Sequence, residues 1–219
     1  MRSLLRRVYN KFKHVNIIMA HHVCDSEPLV YSCIISTNGF KEYVKDKKFV
    51  AVDHALKSIS KSNGAYVLTV DDALDDLYTE IYPICQENNI PLTAFISADL
   101  LDKEGYITTD QLIEMSRDPL VTIGSHGCTH IKLNECDEDG ASYEICESKK
   151  KLESIIGKEV LAYAYSNGVA SRRDIKLVKK AGYRYACGVT PRKCNIISMM
   201  FYRFLLPRYN LDNNTVQKI

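Results

Sequence analysis

Ala65-Tyr66-Val67-Leu68-Thr69-Val70-Asp71-Asp72 is a short apolar, β-branched run that ends on two adjacent carboxylates. Such a run reads as a strand covered on both faces, with polar chemistry at its carboxyl end. The same grammar recurs outward along the chain. Leu120 to Ile123 runs through Gly124 into Ser125-His126-Gly127-Cys128-Thr129-His130, and Val15 to Ala20 runs into His21-His22. Leu92 to Ile96, Val160 to Tyr165, Tyr183 to Val189 and Phe204 to Tyr209 are further strand candidates. Between them Leu74, Leu77, Tyr78, Ile81, Ile84 and Cys85 keep a helical period. Thr109 to Ser116, Glu138 to Ile156 and Ser171 to Ala181 complete the predicted helices, with Thr108 or Thr109 and Ser171 as caps and Gly182 as a stop. Apolar strands alternating with helices imply an α/β domain built on a parallel sheet, doubly wound or closed into a barrel.

The 219 residues suit one such domain, in which roughly 70 % of the unfolded surface is buried. With 29 Lys and Arg against 27 Asp and Glu, the net charge of +2 gives no global attraction to nucleic acid. A 46 % hydrophobic and 26 % charged composition excludes a disordered or fibrous chain. The eight cysteines form no CxxC pair, which favours reduced thiols and a cytoplasmic location. Residues 1–14 form a basic amphipathic segment (Arg2, Arg6, Arg7, Lys11, Lys13 with Leu4, Leu5, Val8, Phe12), either an ordinary domain-capping helix or a peripheral contact with the inner membrane face; residues 15–219 form the domain. The Lys149-Lys150-Lys151 run reads as a solvated face alternating with Glu144, Glu147 and Glu153.

Ligands bind at the carboxyl ends of strands in parallel α/β folds. Two adjacent carboxylates there repel each other in a dry site unless a cation joins them. Successive residues point different ways, so one can ligate while the other stays free as a base. Two histidines four apart lie on one side of a helical turn, near enough to share a metal through neutral imidazole nitrogens. One Asp with two His leaves coordination positions open, the mark of a hydrolytic rather than a structural site. Cys128, between the histidines, is expected to pack inward.

Thr69-Val70-Asp71-Asp72-Ala73 resembles the TFDDG motif of the polysaccharide deacetylase family (NodB homology, carbohydrate esterase family 4). Ser125 to His130 resembles its SHxxxH motif, Leu161 to Tyr165 the AYPYG form of its third motif, and Ile18 to Val23 the MYHxV opening of one branch. Leu92 to Ile96 is similar to its TxFV strand, and Leu206-Pro207-Arg208-Tyr209-Asn210 to closing segments of surface-polysaccharide members. The resemblance implies a single-domain distorted (β/α)7-type barrel that removes acetyl from an N-acetylated saccharide of a bacterial polysaccharide or its precursor. It implies one divalent ion, zinc being the expected one, on Asp72, His126 and His130, with Asp71 as general base. The backbone N–H of Tyr165 would help hold the oxyanion, Tyr163 or Tyr165 would wall the sugar, and Arg208 would contact substrate.

Departures from the pattern set the alternatives. Ala73 replaces the motif glycine and Val70 its phenylalanine. Ala162 stands where many members carry an arginine that pairs with the catalytic aspartate, leaving Arg208 or Arg203 to reach in from a later strand. The closing Leu-x-His segment that usually supplies the general acid is absent, and His21, in the MYHxV-like position, is its candidate replacement. The competing readings are a catalytically degenerate sugar- or partner-binding barrel and a metal amidohydrolase or esterase acting on a small molecule.

Overall fold

The computed structural model describes residues 13–25 and 33–215; residues 1–12 of the basic segment expected over 1–14 lie outside them, and His14 is already in the first strand. Seven stretches of chain build one curled parallel sheet. They are β1 (His14–Ala20), β4 (Tyr66–Val70), β5 (Leu92–Ile96), β6 (Val121–Ser125), β7 (Ala162–Ala164), β8 (Tyr185–Cys187) and β10 (Tyr209–Asn210), in the spatial order β10-β1-β4-β5-β6-β7-β8. Leu206 exchanges backbone bonds with Ala186 and Gly188 beside β8 (2.8 and 2.9 Å), while Leu211 N–H donates to Met19 of β1 (2.8 Å). The stretch from Leu206 to Leu211 therefore joins the two ends of the sheet, giving the distorted barrel the sequence implies.

Alternation along the strands sorts side chains into two cores. Ile18, Leu68, Ala94, Ile123, Tyr163 and Ala186 pack outward under the helices. Val15, Ile17, Val67, Phe95, Ala162, Ala164, Tyr185 and Cys187 pack inward. Two short helices that the sequence pattern missed, α1 (Thr37–Lys45) and α2 (Val52–Lys57), follow β2 (His22–Val23) and β3 (Ile34–Ile35). Val52 and Ala55 of α2 join the inner core, as does Met199 from α7 (Ile196–Phe201), which follows β9 (Cys194–Asn195). β9 pairs antiparallel with the start of β1, so α7 sits at the end of the barrel opposite the strands' carboxyl ends.

The outer helices follow the predicted periods. A five-residue π turn at Leu77–Ile81 leads into α3 (Tyr82–Glu87), where a continuous α-helix was expected. Pro83 explains the difference, since it has no N–H to donate and its ring displaces the preceding turn. α4 (Thr109–Arg117) and α6 (Arg172–Lys180) each open on a reciprocal capping box, Thr108 with Gln111 and Ser171 with Asp174. α5 (Glu138–Ile156) starts on Asp137 and ends at Gly157 in a left-handed turn (φ +67°). Among the described residues no helix is long and apolar enough to cross a membrane.

Candidate metal centre and its acid–base neighbours

β4 delivers Asp71 and Asp72 through an unusual turn. Asp72 and Ala73 both adopt left-handed backbone (φ +74° and +64°), a conformation that costs a non-glycine residue roughly 1–2 kcal/mol. The chain reverses there, and the two carboxylates face different partners.

Asp71 faces Arg208. The guanidinium Nη1 and Nη2 donate to Oδ1 and Oδ2 at 2.7 Å each, Nε donates to the Gly188 carbonyl at 2.9 Å, and Nη1 also reaches the Thr69 hydroxyl at 3.1 Å. Arg208 is 0 % exposed and its guanidinium turns to Asp71, the role the sequence offered to Arg208 or Arg203, rather than to open solvent where a saccharide would lie. It instead supplies the cation that Ala162 does not. Burial alone would raise the Asp71 carboxyl, but the Arg208 guanidinium, with His126, holds its pKa below the usual value. The carboxylate therefore stays ionised at neutral pH.

Asp72 faces His126 and His130. Its Oδ1 lies 3.3 Å from Nε2 of His126 and 3.1 Å from Nε2 of His130, yet no hydrogen bond with proper geometry reaches this buried oxygen. The tautomer explains the mismatch. His126 Nδ1 sits 2.8 Å from the Ala164 carbonyl, which can only accept, so Nδ1 carries the hydrogen and neutral Nε2 offers a lone pair. A lone pair facing a carboxylate oxygen at this distance repels it unless a cation stands between them. The donor set, one carboxylate and two imidazoles within 4.8 Å of one another, fits a divalent ion with open positions. Asp71 and Asp72 raise the His126 pKa against the opposing effect of burial, so a proton and a cation would compete for the same lone pair. The two histidines are not on a helical turn as expected; they follow β6 in a loop where Gly127 and His130 have φ +87° and +64°.

The remaining candidates divide. His21 lines a cavity of about 170 Å³ with Met19, Asp71, Asp72, His126 and His130. Its Nδ1 has no hydrogen-bond partner, and burial lowers its pKa against the pull of Asp71 and Asp72. Tyr163 and Tyr165 are both 0 % exposed and stack edge to face, so neither walls a sugar site. The Tyr165 N–H donates to the Cys187 carbonyl at 3.1 Å, so it has no hydrogen left for an oxyanion. Cys128 is buried, and burial pushes its thiol up to about 12. A larger cleft of about 410 Å³, lined by Ser116, Pro119, Lys158 and Leu161 among others, lies at the amino ends of β6 and β8, away from this chemistry.

Two groups escaped the sequence reading. Asp76 Oδ2 accepts from Val23 N–H and lies 2.8 Å from His22 Nδ1, bracing the strand that follows His21. Glu144 does not share the solvated face where Lys150 meets Glu147 at 2.6 Å; it is 5 % exposed and bonds to the histidine loop. The signal was present in the helical spacing of Ala141, Glu144, Ile145, Ser148 and Leu152, the buried stripe of α5.

The sequence model of the family described as polysaccharide deacetylase matches residues 59–186, more than half of the chain. The poly-beta-1,6-N-acetyl-D-glucosamine N-deacetylase of Staphylococcus aureus is 23 % identical over 210 residues, covering 84 % of this chain and 70 % of the relative. The Bacillus subtilis protein YxkH is 24 % identical over 130 residues, and the match covers 59 % of this chain but only 46 % of that one. The chain thus spans just under half the length of this second relative. A solved structure of the Streptococcus pyogenes deacetylase PplD in complex with acetate superposes with a TM-score of 0.82 at 18 % identity, covering 94 % of this chain and 95 % of that one. That likeness shows the fold.

Proposed function

This chain belongs to the polysaccharide deacetylase family, and from that premise we propose that it is a metal-dependent hydrolase of the N-acetyl group on an amino-sugar polymer or its precursor. The observation that carries the reading is the buried Asp72 oxygen on which two imidazole nitrogens converge, beside an aspartate kept ionised by Arg208. Asp72, His126 and His130 would hold the ion; zinc there would acidify a water molecule and polarise the acetyl carbonyl.

Asp71 is the general base: it takes a proton from the attacking water, and the Arg208 fork fixes its orientation. His21 is the acid: its imidazolium, protonated from solvent beforehand, delivers that proton to the sugar nitrogen as the carbon–nitrogen bond breaks, acetate and a free amine leave, and the proton taken by Asp71 returns to solvent. Burial lowers its pKa against the pull of Asp71 and Asp72, which makes the imidazolium a readier proton donor. The catalytically degenerate reading drew on the missing arginine at Ala162 and on the missing closing histidine; Arg208 answers the first, and the His21→Ala substitution tests the second. Eight free thiols support a cytoplasmic site of action.

The test is acetate release from oligomers of β-1,6-linked N-acetylglucosamine, the polymer named in the Staphylococcus relative, alongside an O-acetylated sugar. Release from the N-acetylated oligomer that chelator abolishes and zinc restores is expected. No release from any N-acetylated saccharide by the metal-loaded protein would overturn the proposal. Release from the O-acetylated sugar alone would make it an esterase. His21→Ala should lower turnover with metal content intact, and unchanged turnover would remove His21 from the mechanism.

A further inference from the structure

Glu144 is a buried carboxylate with no lysine, arginine or histidine in ion-pair contact among the described residues, an arrangement that is costly unless its bonds do something specific. All its hydrogen bonds go to one place. Oε2 accepts from the backbone N–H of Cys128 at 2.7 Å and of Thr129 at 3.0 Å, and Oε1 accepts from the Thr129 hydroxyl at 2.8 Å. These residues lie between His126 and His130. The opposite edge of the same loop is held by the 3-10 turn that follows β5 (Ala98–Leu100): Ala98 N–H donates to the Gly127 carbonyl at 3.0 Å and Asp99 N–H to the Cys128 carbonyl at 2.9 Å. One helical turn along α5, the Ser148 hydroxyl lies 2.7 Å from that of Ser125, which in turn accepts the Gly127 N–H at 3.2 Å.

The loop is thus gripped by its carbonyls from the turn after β5 and by its N–H groups from α5. The fit is close enough that a Cβ on Gly127 would fall 2.8 Å from Glu144 Oε2. Outside this grip the loop has little reason to keep His130 in left-handed backbone (φ +64°), which is the conformation that turns its ring toward Asp72.

We propose that Glu144 is a positioning residue for the metal centre: it locks the loop so that both imidazoles face Asp72, and so sets affinity for the ion without touching it. The inference rests on the reading that Asp72, His126 and His130 bind a divalent ion. Its test is zinc affinity of the full chain, by competition with a chromophoric chelator, together with the unfolding midpoint of each metal-free variant. Glu144→Ala leaves two buried N–H groups unpaired and should weaken zinc binding about 10–100-fold, the usual effect of removing a ligand-orienting partner. Glu144→Gln can accept both N–H bonds with its amide oxygen and donate to the Thr129 hydroxyl, so its affinity should stay within about threefold of the parent. Should Glu144→Ala fail to fold, Glu144→Asp keeps the charge but withdraws it from the loop, and an affinity loss of about tenfold is expected. A folded Ala or Asp variant with the parent's affinity overturns the positioning role and leaves the metal reading standing. A parent protein that binds no zinc overturns both.

Discussion

Asp71 and Asp72 are neighbours in sequence, both buried, and opposite in what surrounds them. Asp71 is completed by the protein: a two-pronged guanidinium contact at 2.7 Å on each oxygen leaves it charged and paired. Asp72 is left incomplete: its Oδ1 has two imidazole nitrogens within 3.3 Å and no hydrogen bond. One carboxylate carries its counter-charge in the fold, and the other has a place made for a counter-charge from solution. On the proposed function this difference would separate a base, which must remain available to water, from a ligand, which must bind.

The sharpest way to break the contrast is to remove Arg208. Arg208→Met should destabilise the protein by roughly 3–5 kcal/mol, the expected cost of stranding a buried charge, and should show as a large drop in the urea unfolding midpoint. Asp72→Asn should do the reverse. Zinc affinity should fall at least about 100-fold (~2.7 kcal/mol), while the unfolding midpoint of the metal-free protein drops far less than for Arg208→Met, because no guanidinium is stranded. Equal destabilisation by the two substitutions would erase the distinction between a paired and a waiting carboxylate.

A smaller effect follows from pH. The ion needs neutral His126, whose pKa in the metal-free protein is raised by Asp71 and Asp72, while the Asp72 carboxyl is held low by the two imidazoles despite burial. Affinity is therefore full above the raised His126 pKa and falls as pH drops through it, by about tenfold per unit while one proton is displaced. Chelator competition across pH 5–9 should show this, and a flat profile would contradict the lone-pair arrangement. Smallest of all, Ala73→Gly relieves left-handed strain at φ +64° but loosens the unfolded chain, for a net gain of about 0.5–1 kcal/mol in the unfolding midpoint.

Much of the barrel was legible because its signals are local. Strands Leu92–Ile96 and Val121–Ser125 announce themselves by composition, and α5 runs over the predicted Glu138–Ile156 with Asp137 as its cap. Short elements were not legible: α2 has six residues and α7 six, too few for a period to stand out, and both are held by the inner core. The π turn at Leu77–Ile81 hid behind a helical pattern that its side chains still obey.

The division runs through the site as well. The sequence alone determined that Asp71, Asp72, His126 and His130 would lie at strand ends, because strand direction and side-chain alternation are properties of a short window. Only the tertiary structure decided their company. Arg208 is 137 residues from Asp71 and reaches it because the segment Leu206–Leu211 closes the barrel between β8 and β1. Tyr163 and Tyr165 went to the core, the Tyr165 N–H to the sheet ladder, and Glu144 to the histidine loop, each according to which face of its element the barrel buries. Burial and long-range pairing are set by closure of the whole sheet, and no local stretch of residues encodes that closure.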